Sequence, residues 1–240
     1  MSYIHADNLV KQYGTGEATV TAVDGVSLQI GEGEFLAIMG ESGSGKSTLL
    51  SMLGGLNSPT SGRFHVNGID VYALTSDERA DFRKKSIGFV FQNFHLLPYL
   101  TLAENAMLPL AIEKASRKKK LAVATDALAR VGLHGKAARL PNQISGGEQE
   151  RVAIARAIVN RPPIILADEP TGNLDTRTGA EVMKLLALLN QEGTTVIMVT
   201  HSNEYAHYAR RLIRLSDGRR LGEETVMEKG GTNISSCRAA

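Results

Sequence analysis

Gly40-Glu41-Ser42-Gly43-Ser44-Gly45-Lys46-Ser47 combines residue types and spacing suited to phosphate chemistry, fitting G-x-x-x-x-G-K-[ST]. Glycines at these positions let backbone N–H groups turn inward around phosphate oxygens. A helix opening directly after the loop adds a positive end that favours an anion. Lys46 is expected to contact the β- and γ-phosphates and Ser47 to place its hydroxyl on Mg²⁺. The nucleotide-holding set is then Gly40, Ser42, Gly43, Ser44, Gly45, Lys46, Ser47 and Thr48. A plain Gly-Ser surface loop is the competing reading.

A second candidate is Asp168-Glu169, which closes the apolar run Ile164-Ile165-Leu166-Ala167. An acid at the end of a buried parallel strand faces the ligand crevice. Asp168 is the expected Mg²⁺ partner, and Glu169 is placed to orient or deprotonate an attacking water. By itself the segment could equally be a strand that ends in a polar turn; beside Lys46 the chemical reading is preferred.

The elements that must position these residues are legible around them. Phe35-Leu36-Ala37-Ile38-Met39 is a continuous apolar run, as in a strand buried on both faces. It leads into the glycine loop, and a helix is predicted over Thr48 to Leu53, stopping at Gly54-Gly55. Val26 to Ile30 alternates as a half-buried strand; Arg63 to Val66 and Ser86 to Phe91 read as further strands. Thr195 to Val199 repeats the buried-strand pattern. Between it and Ile164 to Ala167, the stretch Glu181 to Asn190 puts Val182, Leu185, Leu186 and Leu189 at helical spacing. Strand, helix, strand in that order implies a parallel core. From about Thr101 to Val131 the pattern is helical and more charged.

The 240 residues suit one α/β unit with an inserted subdomain. Hydrophobic residues make up 42% and charged residues 22%, a globular composition. A net charge of +2 with no Trp and 5% aromatics speaks against a nucleic-acid partner. The one cysteine, Cys237, excludes a disulfide framework and reads as a tail thiol. His5, His65, His134 and His207 are not spaced as a zinc set. No secretory signal is visible at the start, and no apolar run approaches the roughly 20 residues a membrane span needs. A membrane connection is therefore expected to come through a partner.

Ile144-Ser145-Gly146-Gly147-Glu148-Gln149-Glu150-Arg151, just upstream of the acidic strand, resembles the signature of the ATP-binding cassette family. Ser145 to Glu148 also fits an S-x-x-E capping box, and the two readings are compatible. A capped Gly-Gly helix start exposes N–H groups to an anion. In the family that anion is the γ-phosphate of ATP on the opposite subunit. The resemblance spans Ile4 to Leu221 and implies a P-loop α/β fold. That fold has a RecA-like parallel-sheet core, an N-terminal antiparallel β subdomain and an inserted helical subdomain at about 93–160. A single ATP-binding domain is expected over 1–228, with a flexible tail at 229–240. The resemblance further implies ATP and Mg²⁺ as ligands and a head-to-tail homodimer with Ser145, Gly146, Gly147 and Glu148 facing the partner's nucleotide. Tyr13 matches the aromatic that stacks on adenine, and Gln92 the glutamine that links Mg²⁺ and attacking water to the partner-facing subdomain. Asp175, in Asn173-Leu174-Asp175, matches the interface-crossing loop, and His201 the histidine at the γ-phosphate. Taken singly, a Tyr is more often a packing residue and a strand-end His a structural hydrogen-bonder.

Tyr13 to Gly16, Gly88 to Pro98 and Thr171 to Asp175 are similar to the lipoprotein-releasing and macrolide-export ATPases, the LolD/MacB group. That resemblance implies an ATPase on the cytoplasmic face of the membrane, powering export or extraction through a transmembrane permease with a large extracytoplasmic domain. A regulatory ATPase that gates a membrane protein without transport, as in cell-division relatives, is the alternative. A soluble DNA- or ribosome-acting ATPase and a nucleotide kinase fit less well. Glu150, where Gln is common, and Ser202, where Asp is common, depart from the pattern. Arg117-Lys118-Lys119-Lys120 reads as a solvated helix face, with contact to acidic lipid headgroups as the other option. Leu96 to Leu110 is either core packing or a groove for a partner's coupling helix.

Overall fold

The structure is a computed structural model and describes residues 3–225. The tail expected at 229–240, with Cys237, lies outside the described residues.

Two sheets and a set of helices make up the fold. The antiparallel sheet is formed by β1 (Ile4–Tyr13), β2 (Val20–Ile30), β4 (Ser61–Val66) and β5 (Ile69–Asp70), in the order β2-β1-β4-β5. The second sheet contains β3 (Phe35–Met39), β6 (Ile87–Val90), β7 (Ile164–Asp168), β8 (Thr195–Thr200), β9 (Arg211–Ser216) and β10 (Arg219–Thr225). Its order is β10-β9-β3-β8-β7-β6, parallel throughout except for the antiparallel edge strand β10.

Why the parallel strands read as unbroken apolar runs is visible in their packing. Phe35, Ala37 and Met39 enter one core with Ile165, Ala167, Val196 and Met198. Leu36 and Ile38 enter the other with Leu166, Ile197 and Val199. Successive side chains point to opposite faces, and both faces are covered, so neither set can be polar. Helix α1 (Lys46–Leu53) and the antiparallel sheet cover one face. Helices α3 (Leu102–Met107), α4 (Arg117–Arg130), α5 (Gly146–Ile158) and α6 (Thr176–Gln191) share the other core.

Several expectations shift in extent. The helix predicted at 48–53 begins at Lys46, and the strand predicted at 26–30 begins at Val20. Helix α6 starts five residues before Glu181, because Asp175 accepts from the Thr178 amide and caps it. The helical stretch 101–131 is not one helix: α3 runs into a 3₁₀ turn, Leu108–Leu110, at Pro109, and α4 starts afresh under Ser116. Leu102, Ala103, Ala106 and Leu110 are buried, so much of 96–110 is core. Helix α2 (Ser76–Ser86) and helix α7 (Asn203–Ala206) complete the set. Helix α2 was not expected: within it only Phe82 is buried, and that leaves no apolar stripe to read.

Candidate functional site

Four neighbouring parallel strands end at the same edge and deliver the candidate residues together. β3 hands on to the Gly40 loop, β8 to His201, β7 to Asp168-Glu169 and β6 to Gln92, and these strands are adjacent in the order β3-β8-β7-β6. The carboxyl edge of an open parallel sheet is where such folds bind ligands.

The loop has little room for anything but glycine at two points. A Cβ on Gly40 would lie 2.3 Å from the Leu215 carbonyl oxygen, and one on Gly45 2.1 Å from that of Ala22. Gly45, at φ +94°, immediately precedes α1 and turns the chain into it. Lys46 is buried, and its Nζ donates to the carbonyls of Gly40 at 2.8 Å and Glu41 at 2.7 Å, placing the ammonium inside the loop's own curve. Ser44 is buried with an Oγ that meets no partner, while Ser42 and Ser47 are exposed and Thr48 is half-buried.

Ser47 Oγ donates to Asp168 Oδ1 at 3.0 Å. Burial is the main cause that raises the Asp168 pKa; the Ser47 bond and Lys46 oppose it, and Glu169 adds to it. A hydroxyl and a carboxylate side by side are the hard-oxygen pair a Mg²⁺ ion takes when phosphates supply the rest of its shell, so these residues fit that ion.

Glu169 stands at φ +45°, a left-handed backbone that few non-glycine residues adopt. Its amide donates to Val199 O at 3.0 Å, holding the turn against β8. Its Oε2 is 2.9 Å from His201 Nδ1. A Cβ added to Gly172 would be 3.1 Å from Gln92 Nε2 and 3.5 Å from Glu169 Oε2, so Gln92, Gly172 and Glu169 are immediate neighbours. Asn173 reinforces this by donating to the Gln92 carbonyl at 2.9 Å.

Tyr13 is reached by register. It pairs with Val20, two residues before the Ala22 carbonyl that abuts Gly45. Its ring is 44% exposed and its hydroxyl accepts from Asn57.

Ser145, Gly146, Gly147 and Glu148 form a second cluster at the start of α5. Ser145 Oγ accepts from the Glu148 amide at 3.3 Å and Glu148 Oε2 from the Ser145 amide at 2.9 Å, a complete capping box. Glu148 also pairs with Lys136, whose hydrogen bond is the leading cause of its lowered pKa. Its carboxylate is thus engaged within the fold. A Cβ on Gly147 would fall 2.0 Å from Thr178 Cγ2, so α5 lies tightly on the start of α6. Asp175, besides capping α6, has its pKa lowered by the hydrogen bonds from Thr178.

The family model described as ABC transporter matches residues 23–172. The chain belongs to the ABC transporter family. Within it, this chain is the ATP-binding and ATP-hydrolysing cassette. The cassette is 50% identical over 227 residues to a macrolide export ATP-binding/permease protein of Rhodopirellula baltica, covering 93% of this chain and 33% of the relative. It is 48% identical over 215 residues to an uncharacterized ABC transporter ATP-binding protein of Methanocaldococcus jannaschii, covering 90% and 96%. This chain therefore spans about a third of the macrolide-export relative it matches. Among solved structures it is similar to the dimeric ATP-binding cassette MJ0796 in a post-hydrolysis state bound to ADP and Pi. The TM-score is 0.86 at 44% identity, over 94% of this chain and 99% of that one.

Two contacts around the cassette's site escaped the sequence reading. Arg156 donates from both Nη atoms, at 2.6 Å, to the carbonyls of His95 and Phe94. Those two residues have φ of +47° and +57°, so the loop after Gln92 is held in a strained form by an arginine on α5. Asn173 clasps the same loop. Arg156 has no motif of its own to announce it; Asn173 lies within Asn173-Leu174-Asp175, but that resemblance carries no expectation of its bond to the Gln92 carbonyl. Among the described residues, no helix is long and apolar enough to cross a membrane.

Proposed function

We propose that this cassette powers a separate transmembrane permease by closing head-to-tail with a second copy around two ATP. The single observation that best supports this reading is the convergence of Ser47, Asp168, Glu169 and His201 beside the glycine loop. Mg²⁺, when bound, neutralises charge on the phosphates. Ser47 and Asp168 would hold it, and Gln92 would reach toward it from β6. Lys46, together with the loop amides from Gly40 to Thr48, grips the β- and γ-phosphates, and Tyr13 stacks on the base.

Glu169 accepts the proton of the attacking water, and His201 holds Glu169 in place and reaches the γ-phosphate. Positioning and electrostatics supply most of the acceleration, as expected for phosphoryl transfer. Ser145, Gly146 and Gly147 of one copy complete the site of the other, with Glu148 keeping that helix start capped. Asp175 lies on the loop that crosses between them. The helical region at about 93–160, a subdomain inserted in one domain spanning 1–228, relays closure from Gln92 to the permease. The cassette thus works on the cytoplasmic face of a membrane, as a peripheral subunit. Macrolide, lipoprotein or peptide export, through a permease with a large extracytoplasmic domain, is the most consistent role, by likeness to the macrolide-export relatives.

Glu169→Gln tests this directly. The variant should bind ATP, lose at least about 10²-fold in hydrolysis and accumulate as an ATP-dependent dimer. Normal turnover in the variant would remove Glu169 from the mechanism.

A further inference from the structure

Tyr13 ends β1 with its ring well exposed, and Gly14, at φ +84°, turns the chain away directly after it. A Cβ on Gly14 would lie 2.5 Å from the Ala18 carbonyl oxygen, so no larger residue fits this turn. An aromatic at an open strand end is ordinarily free to change rotamer. Freezing it when a ligand arrives costs affinity. Here the ring is held in advance.

Two side chains hold it. The Lys11 ammonium stands over one face, 5.1 Å from the ring centroid and within the range of a cation–π contact. Its Nζ also donates to the Ser58 carbonyl at 2.7 Å, which anchors the cation there. Asn57 Nδ2 donates to the Tyr13 hydroxyl and fixes the far end of the ring. One face is thereby taken by a cation, and a base can stack only on the other.

The anchoring segment, residues 57–60, is tied at both ends. The Leu56 and Asn57 amides donate to the Ser51 carbonyl at 3.0 and 3.3 Å, sealing the segment onto α1. The Tyr72 hydroxyl lies 2.6 Å from the Met52 carbonyl and 2.9 Å from that of Asn57. Thr60 clips the segment to β1: its amide donates to the Val10 carbonyl at 2.7 Å, and its Oγ1 accepts from the Gln12 amide at 3.0 Å. Helix α1 itself begins at Lys46 in the glycine loop. A bonded path therefore runs from the phosphate cradle through α1 to the Tyr13 ring. Lys11 and Asn57 are only partly buried, and hydrogen bonds in such positions add little to stability. What they supply is geometry.

Given the reading that Tyr13 stacks on the base, on which this inference rests, we propose that Lys11 and Asn57 are positioning residues for nucleotide binding. They preset the Tyr13 ring so that its free face meets the base while the glycine loop holds the phosphates. Neither belongs to the set around Ser47, Asp168, Glu169 and His201, so their effect falls on affinity and leaves the chemical step alone.

The test compares KM and kcat for ATP, and affinity for tripolyphosphate with Mg²⁺. The variants are Lys11→Ala, Lys11→Met, Asn57→Ala, Tyr13→Ala and the double variant Lys11→Ala/Tyr13→Ala. Tripolyphosphate fills the loop and has no base. Tyr13→Ala should raise KM for ATP by about tenfold, the loss of one base–aromatic stack. Lys11→Ala and Asn57→Ala should each raise it by about three- to fivefold, with kcat within about twofold of wild type. Lys11→Met, which keeps the stem without the charge, should match Lys11→Ala. Affinity for tripolyphosphate should stay within about twofold throughout, which a damaged fold would not allow. Because Lys11 acts through the ring, adding Lys11→Ala to Tyr13→Ala should raise KM by less than about 1.5-fold more.

An unchanged KM in Tyr13→Ala would remove Tyr13 from base binding, and the positioning role with it. A raised KM in Tyr13→Ala with no change in Lys11→Ala or in Asn57→Ala would overturn the role of that residue and leave Tyr13 in place. Wild-type KM in Lys11→Met would assign the effect to the stem and overturn the part given to the cation. Lost tripolyphosphate affinity in Lys11→Ala, or its full effect persisting in the double variant, would also overturn the role, since Lys11 would then act on the phosphates or on the fold.

Discussion

Glu169 Oε2 and His201 Nδ1 stand 2.9 Å apart, although 32 residues separate them in the chain. With the carboxylate as acceptor, His201 Nδ1 donates and Nε2 is left for another partner. Glu169 is held twice over, by this bond and by its own amide on Val199. A left-handed glutamate fixed in this way suits a group that must meet a water at one geometry. His201→Ala should therefore lower kcat by about 10²-fold while leaving ATP affinity within a few fold. Single-turnover hydrolysis alongside nucleotide titration separates the two. A variant that loses affinity and keeps kcat would place His201 in binding instead.

Asp168 faces a conflict between burial, which raises its pKa, and Ser47, which lowers it. A metal ion resolves that conflict in favour of the charged form. Asp168→Asn should raise the Mg²⁺ concentration needed for half-maximal ATPase by at least about tenfold. Titrating Mg²⁺ at fixed ATP reads this out.

Gly147 has no room for a methyl group, because Thr178 Cγ2 occupies the place. Gly147→Ala should destabilise the cassette by about 1–3 kcal/mol. The double variant Gly147→Ala/Thr178→Ser removes the clashing methyl and should recover most of the loss in urea unfolding. Recovery of stability without recovery of ATPase would assign Gly147 a further role at the dimer interface.

Glu150 is fully buried, and neither of its carboxylate oxygens finds a partner. Burial pushes its pKa up to about 8, partly opposed by Arg156. The folded chain thus keeps a proton that the unfolded chain releases at ordinary carboxylate pH. Stability should fall as pH rises from the carboxylate range through about 8, then level off. Glu150→Gln removes the titration while keeping the shape. Its Tm should exceed that of wild type by more at pH near the top of that window than near the bottom. Parallel Tm profiles for the two proteins would show that Glu150 does not titrate as its burial requires.

Arg156 closes the loop after Gln92 with two short bonds to residues in left-handed backbone. Arg156→Ala should speed amide exchange across 92–97 and lower ATPase, with ATP affinity nearly unchanged. Arg156→Lys supplies charge without the fork and should rescue only part of the loss. Full rescue by lysine would mean that charge alone holds the loop.

What the sequence determined by itself are the features whose physics is local. The glycine loop, the capping box at Ser145 and the doubly buried strands β3, β7 and β8 each follow from a few consecutive residues. Periodicity and turn chemistry act over that same range. The exposed helix α2 was poorly legible because its charged residues, with only Phe82 buried, leave no apolar period to read.

Only the tertiary structure decided which of these features meet. Ser47 reaches Asp168 across 121 residues. Gln92 comes beside Gly172, and Arg156 reaches back to Phe94, because β6 and β7 are neighbours and α5 packs over them. Strand order in the sheet is not chain order, and a side-chain contact is set by that order and by packing.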